Sequence, residues 1–216
     1  MDFSLWLVYL SVISVLIFSP GPSALLCISD GLKYGHKNTI PTIIGGAIAA
    51  LLLMSISAIG LGAILVASKT LFLIIKLIGA CYLIYLGFCA WKENPIALID
   101  ESTTHSPVLK DYAWFTLFRK GFMVGISNPK DLLFFIALFP SFMNAALPQM
   151  EQYIVLACTW FVIDCSSMFM YAALGTKIAP LLRKQSTLKW VNRTVGSVFI
   201  LLGSALGIST LTDTAQ

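Results

Sequence analysis

Apolar residues run along this chain in six stretches, roughly Leu5–Ile28, Ile40–Ala67, Thr70–Trp91, Gly121–Ala146, Tyr153–Leu174 and Trp190–Leu211. Each is about long enough for a helix to cross a hydrocarbon core of ~30 Å, which takes ~20 residues. Two of them are interrupted. Pro20, Gly21 and Pro22 break the first, and Asn128, Pro129 and Lys130 break the fourth. Proline removes a backbone donor and clashes with the preceding turn. In hydrocarbon the freed carbonyls need partners, so broken helices persist where protein or a water-filled cavity covers them. The pattern predicts an all-α membrane protein of six transmembrane helices, with helices 1 and 4 broken at their proline motifs. The first stretch lacks a basic leading region and a small-residue cleavage site, so it reads as a retained helix and not as a signal peptide.

Residues 92–118 form the only long polar connection, with Asp100, Glu101, Ser102, Thr103, Thr104, His105 and Pro107. That composition suits a linker, and its end mixes Tyr112, Trp114, Phe115 and Phe118 with basic residues, which suits an anchor at headgroup level. The connection separates a first half (1–91) from a second (119–216). Three spans per half is an odd number, so the second half enters from the opposite side, and an inverted-topology repeat is expected.

Charge changes the picture by giving a direction. Of fourteen Lys and Arg, eleven fall in the first, third and fifth connections and the flanking helix ends: Lys33, Lys37, Lys92, Lys110, Arg119, Lys120, Lys177, Arg183, Lys184, Lys189 and Arg193. The opposite side holds only Lys69, while Lys76 and Lys130 lie within spans. Cytoplasmic loops carry the excess of Lys and Arg, so both termini are expected outside. The net charge of +4 speaks to anionic headgroups and calls for no nucleic-acid partner. With 58% hydrophobic and 11% charged residues among 216, against roughly 25% charged in a soluble domain, little chain remains outside the bilayer. Function must lie in the bundle.

Two breaks, one in the first span of each half, point to a transporter's substrate site; the plainer reading is a pair of ordinary proline kinks. Asp164 sits eleven residues after Tyr153, too deep for its short side chain to reach water. Ionisable residues at that depth face a cavity and mark an ion or proton path, or else hold two helices together. Trp160, Ser167 and Tyr171 share its helix face. Lys130 is placed to meet a substrate carboxylate or Asp164, or to snorkel toward headgroups, and Asp131 beside it needs a partner. Lys76 is explained by snorkelling. Cys27, Cys81, Cys89, Cys158 and Cys165 all fall in apolar spans without a C-x-x-C pair, so neither a disulfide nor a metal site is indicated. His36 and His105 form no constellation, and no cofactor is expected. Gly203 and Gly207 make a G-x-x-x-G pattern that allows close helix contact, within one chain or between two.

Several blocks together resemble one family. Ser19-Pro20-Gly21-Pro22, the run from Lys76 to Gly87, Asn128-Pro129-Lys130 followed by Leu138-Phe139-Pro140, Val162-Ile163-Asp164 with Tyr171-Ala172, and Gly196-Ser197 with Leu202-Gly203 are similar in order and spacing to the LysE/RhtB amino-acid exporters. The resemblance covers nearly the whole chain. It implies a cytoplasmic-membrane protein that exports amino acids or derivatives, driven by the proton motive force, in a branch handling homoserine, its lactone, threonine or similar small neutral compounds. It also implies that substrate meets Pro20, Gly21, Pro22, Asn128, Pro129 and Lys130, and that Asp164 couples protons. Asp131 departs from the family pattern and alters the charge beside Lys130. A homodimer is an open possibility.

Two other function classes compete. A membrane thiol–disulfide electron carrier needs two approachable cysteines, and Cys27 near the first break has no counterpart near Asn128. An intramembrane peptidase needs a constellation at membrane depth, and only Asp131 and Asp164, on different helices, come near one. The chain has no G-x-x-x-x-G-K-[ST] loop, so ATP does not drive it directly through this chain.

Overall fold

The computed structural model describes residues 2–67, 69–92, 113–144, 147–175, 177 and 185–214, which are helical with no strand among them. The linker residues 93–112 and the basic Arg183 and Lys184 lie outside the described residues, as do the side chains of Lys69 and Lys76.

Helix α1 (Phe3–Phe18) starts where the Asp2 carboxylate accepts the Ser4 backbone N–H at 3.1 Å and its hydroxyl at 2.8 Å. This N-cap satisfies orphan donors and holds the Asp2 carboxyl below its usual range. The helix stops because Ser19 precedes a proline and is extended (ψ 121°), as the proline ring requires. Gly21 is the N-cap of α2 (Pro22–Tyr34), with Pro22 at the first helical position, where its missing N–H costs nothing. The two helices are bent by 53°. Gly35, at φ 84°, closes α2. A 3-10 turn (His36–Thr39) then leads into α3 (Ile40–Ala67).

Helix α4 (Lys69–Lys92) is followed, beyond the linker, by α5 (Trp114–Ile126) and α6 (Pro129–Leu133). Helix α6 passes into a π turn (Phe134–Leu138) and then a 3-10 turn (Phe139–Phe142) carrying Pro140. Helices α7 (Gln149–Ala173) and α8 (Gln185–Thr214) complete the chain. The stretches 36–60 and 149–173 are each long and apolar enough to cross a membrane, and α1 with α2 makes a third candidate as one bent span. The expected anchor segment is the start of α5 itself: Trp114, Phe118 and Phe122 stack one turn apart along it.

Small residues decide which helices touch. Helices α3 and α5 run parallel with backbones in contact, since a Cβ on Gly121 would lie 2.9 Å from Thr42 Cα and one on Gly125 would lie 3.1 Å from Gly46 Cα. A Cβ on Gly31 of α2 would lie 2.9 Å from Ala172 Cα of α7. Helices α4 and α8 run antiparallel, with Gly203 against the Ala80 carbonyl and Trp91 Nε1 donating to Arg193 O at 2.9 Å. Gly203, the first glycine of the pattern on the last helix, thus serves a close contact within one chain. Aromatic rings fill the space between α1, the α6 tail and α7. Phe134 and Phe135 lie 5.2 and 4.6 Å from Trp160, and Tyr9 lies 5.2 Å from Phe142.

Candidate functional site

The first break leaves the last carbonyls of α1 short of helical partners, with the Ser19 N–H shared between Val15 O at 3.2 Å and Leu16 O at 3.3 Å. Side chains from elsewhere supply them. Lys130 Nζ donates to Leu16 O at 2.9 Å and to Ser19 O at 3.0 Å, and Tyr171 OH donates to Phe18 O at 2.7 Å. The negative end of a helix dipole is a favourable place for an ammonium. The ammonium lies alongside Gly21, where a Cβ would meet Lys130 Nζ at 3.4 Å, an ordinary van der Waals contact. The lysine of the second break therefore caps the first. It makes no ion pair with Asp164 or Asp131 among the described residues.

The second break is built by Asn128, which is buried. Its Oδ1 accepts the Lys130 backbone N–H at 3.2 Å and so N-caps α6, with Pro129 at the first helical position. Its Nδ2 donates to Asp131 Oδ2 at 2.8 Å and to Ser23 Oγ of α2 at 3.3 Å. The partner that Asp131 needed is thus Asn128, and one amide ties the two breaks together.

Between the breaks lies a small cavity of ≈ 10 Å³, about the room of one water. Asp131 and Asp164 both face it, with Ser23 and Cys27 of α2, Thr42 of α3 and Gly121 of α5 among its lining. The expected face of α7 is buried, with Trp160 and Ser167 each 1% exposed and Tyr171 6%. Trp160 Nε1 and Ser167 Oγ have no hydrogen-bond partner among the described residues. Of the sequence-predicted residues, the structure gathers Gly21, Asn128 and Lys130 into the linked breaks, with Pro20, Pro22 and Pro129 setting the helix ends. Asp164 stands at the cavity beside Asp131.

Sequence reasoning missed a buried ion pair that neighbours residues of this lining. Asp30, fully buried on α2, accepts Lys120 Nζ at 2.6 Å and Thr42 Oγ1 at 2.9 Å. The signal was an acidic residue close to the C-terminus of a helix, where the dipole disfavours it. Such a residue calls for a dedicated partner.

A cleft of ≈ 330 Å³ lies apart from these groups, lined by Ser55 and Ile59 of α3 and Met143, Met150 and Tyr153 near the start of α7. There the Ser55 and Tyr153 hydroxyls are 2.6 Å apart.

The family model for LysE type translocators matches residues 14–210. The chain is 34% identical over 206 residues to an uncharacterized membrane protein of Vibrio cholerae, covering 95% of this chain and 98% of that one. It is 32% identical over 206 residues to the homoserine/homoserine lactone efflux protein of Salmonella typhimurium, covering 95% and 97%. A leucine efflux protein of Enterobacter sp. strain 638 is 24% identical over 187 residues, 86% of each chain. No solved structure matches. With its apolar helices, its paired breaks and a family match over nearly its whole length, this chain belongs to the LysE type translocator family of membrane transporters.

Proposed function

We propose that the protein exports small amino acids or their derivatives, such as homoserine, threonine or similar neutral compounds, across the cytoplasmic membrane by proton antiport. The reading rests on one observation above all. A single cavity gathers the first turn of α2, through Ser23, and two carboxylates from different spans, Asp131 and Asp164. Free N–H groups in the first turn of a helix suit a substrate carboxylate, and the two acids suit an ammonium group and a proton. The names borne by the Salmonella and Enterobacter relatives support amino-acid efflux. Within this reading the chain forms six spans as two inverted halves with both termini outside, and Asp164 carries the proton. A thiol carrier is poorly served, because Cys27 is the one cysteine among the residues lining this cavity.

The test uses inverted membrane vesicles, in which export from the cytoplasm reads as accumulation. A panel of labelled amino acids is offered with and without an imposed pH gradient. Accumulation of small neutral compounds that collapses with the gradient is expected. Accumulation indifferent to the gradient defeats the antiport, and none for any compound defeats the exporter reading.

A further inference from the structure

Close backbone contacts sort four helices into two pairs. Helix α2 packs against α7 at Gly31 and Ala172, and α3 packs against α5 at Thr42 and Gly121. The cavity between the breaks lies on the seam where these pairs meet. Cys27 and Asp164 line it from one pair, and Thr42 and Gly121 from the other. One charged contact crosses that seam among the described residues: Asp30 of α2 to Lys120 of α5, with Thr42 of α3 as a second donor to the same carboxylate.

The position of this contact is specific. Thr42 lines the cavity and bonds Asp30, Gly121 lines it next to Lys120, and Cys27 lies about one helical turn from Asp30. The ion pair therefore sits against the cavity at the end where α2 finishes and α5 begins. Its two ends differ in surroundings. The Asp30 side chain is 1% exposed, whereas that of Lys120 is 46% exposed. A carboxylate shut inside the bundle depends on its partners, while the lysine is only half enclosed by protein. The pair can part by Lys120 swinging outward, with Thr42 left as the remaining donor to Asp30.

We propose that the Asp30–Lys120 ion pair, seconded by Thr42, is a latch across the seam between the α2/α7 and α3/α5 pairs, closing the cavity toward the end of the bundle that carries Lys33, Lys37 and Lys120. Release of Lys120 lets the pairs separate and opens the cavity from that end. Built-in bistability of this kind needs two packed bodies and a contact that only one arrangement satisfies. The inference rests on the transport reading for its purpose, but its geometry and its test do not involve transport.

Cys27 is a natural reporter, because it lines the cavity and is 3% exposed. In the full-length protein with Cys27 as the lone thiol, a small charged methanethiosulfonate reagent is added from the Lys33/Lys120 side of the membrane, and the rate of Cys27 modification is followed. Lys120→Met and Asp30→Asn should raise the rate about tenfold or more, the shift expected when a hydrogen bond to a charged group is lost from one side of a two-state equilibrium. Lys120→Arg should stay near the parent rate. Should a single variant misfold through its orphaned charge, Asp30→Asn/Lys120→Met removes both charges and is expected to label fast. A matching protein with Cys165 as the lone thiol, which does not line the cavity, should label at its own parent rate in every background. Parent-rate labelling of Cys27 in the double variant overturns the latch, as does an equal rise at Cys165, which signals general loosening. A protein that transports nothing in vesicles yet shows the expected Cys27 pattern keeps the latch and loses only the exporter reading.

Discussion

Asn128 joins the two helix breaks through one side chain: its amide nitrogen donates to Asp131 at 2.8 Å and to Ser23 of α2 at 3.3 Å, while its oxygen caps α6. Asn128→Ala removes all three contacts. Loss of an N-cap costs about 1 kcal/mol, and Asp131 is left at the cavity without its donor. We expect a folded protein with a lowered melting temperature in detergent and with export abolished. Full export by Asn128→Ala would return this motif to an ordinary kink.

Lys130 acts on the far side of the same junction. Lys130→Met takes the ammonium from the carbonyls of Leu16 and Ser19, leaving Leu16 O with the Ser19 N–H alone. Hydrogen bonds to charged groups contribute about 1.5–3 kcal/mol, and a loss of that size is expected in thermal unfolding of the detergent-solubilised protein. Lys130→Arg should recover part of it. A Lys130→Met protein as stable as the parent would show that the cap is dispensable.

Asp164 lines the cavity from α7. Asp164→Asn keeps the shape of the group and cannot titrate. The expected result is normal insertion, retained downhill exchange of substrate, and loss of pH-gradient-driven flux per inserted molecule. A merely structural role makes the opposite forecast, poor expression with coupling intact in the surviving protein, and immunoblotting alongside flux separates the two.

The two glycines of the last helix should part company. A Cβ on Gly203 would lie 2.7 Å from the Ala80 carbonyl, whereas one on Gly207 would meet nothing closer than 3.8 Å. Gly203→Ala should destabilise by about 1–3 kcal/mol through overpacking. Gly207→Ala should be neutral or stabilising by roughly 0.5–1 kcal/mol, as alanine is favoured over glycine in a helix. Unfolding temperatures of the two variants decide it, and equal shifts would mean that α4 and α8 are not held by this contact.

Orientation is open to a simple measurement. A reporter active only in the periplasm should work when fused after Gln216 and stay silent when inserted within Asp100–Pro107. The reverse pattern would overturn the assignment of both termini to the outside.

The helix ends were readable because proline and asparagine act locally: Pro20, Pro22 and Pro129 fix backbone angles and delete donors wherever they stand, and Asn128 caps the next turn. That Trp160, Ser167 and Tyr171 share a helix face with Asp164 followed from helical spacing alone. What remained illegible was tertiary. Lys130 offered several partners by sequence, and only the arrival of α1 beside α6 made the carbonyls of Leu16 and Ser19 its acceptors. Asp30 and Lys120 lie 90 residues apart and carry no mark of each other. The turn from α-helix through π to 3-10 over Phe134–Phe142 combines Pro140 with ring packing on Trp160, and ring packing leaves no periodic trace.

The cap on α1 also has a history in time. The Leu16 carbonyl and the Lys130 ammonium are 114 residues apart in the chain, so at roughly 5–20 residues per second the ribosome delivers the second roughly 6–23 s after the first. For that interval the end of α1 stands without its lysine. The junction between α1 and α2 is thus finished in the order opposite to the chain: the carbonyls are made first, and the residue that caps them arrives with α6.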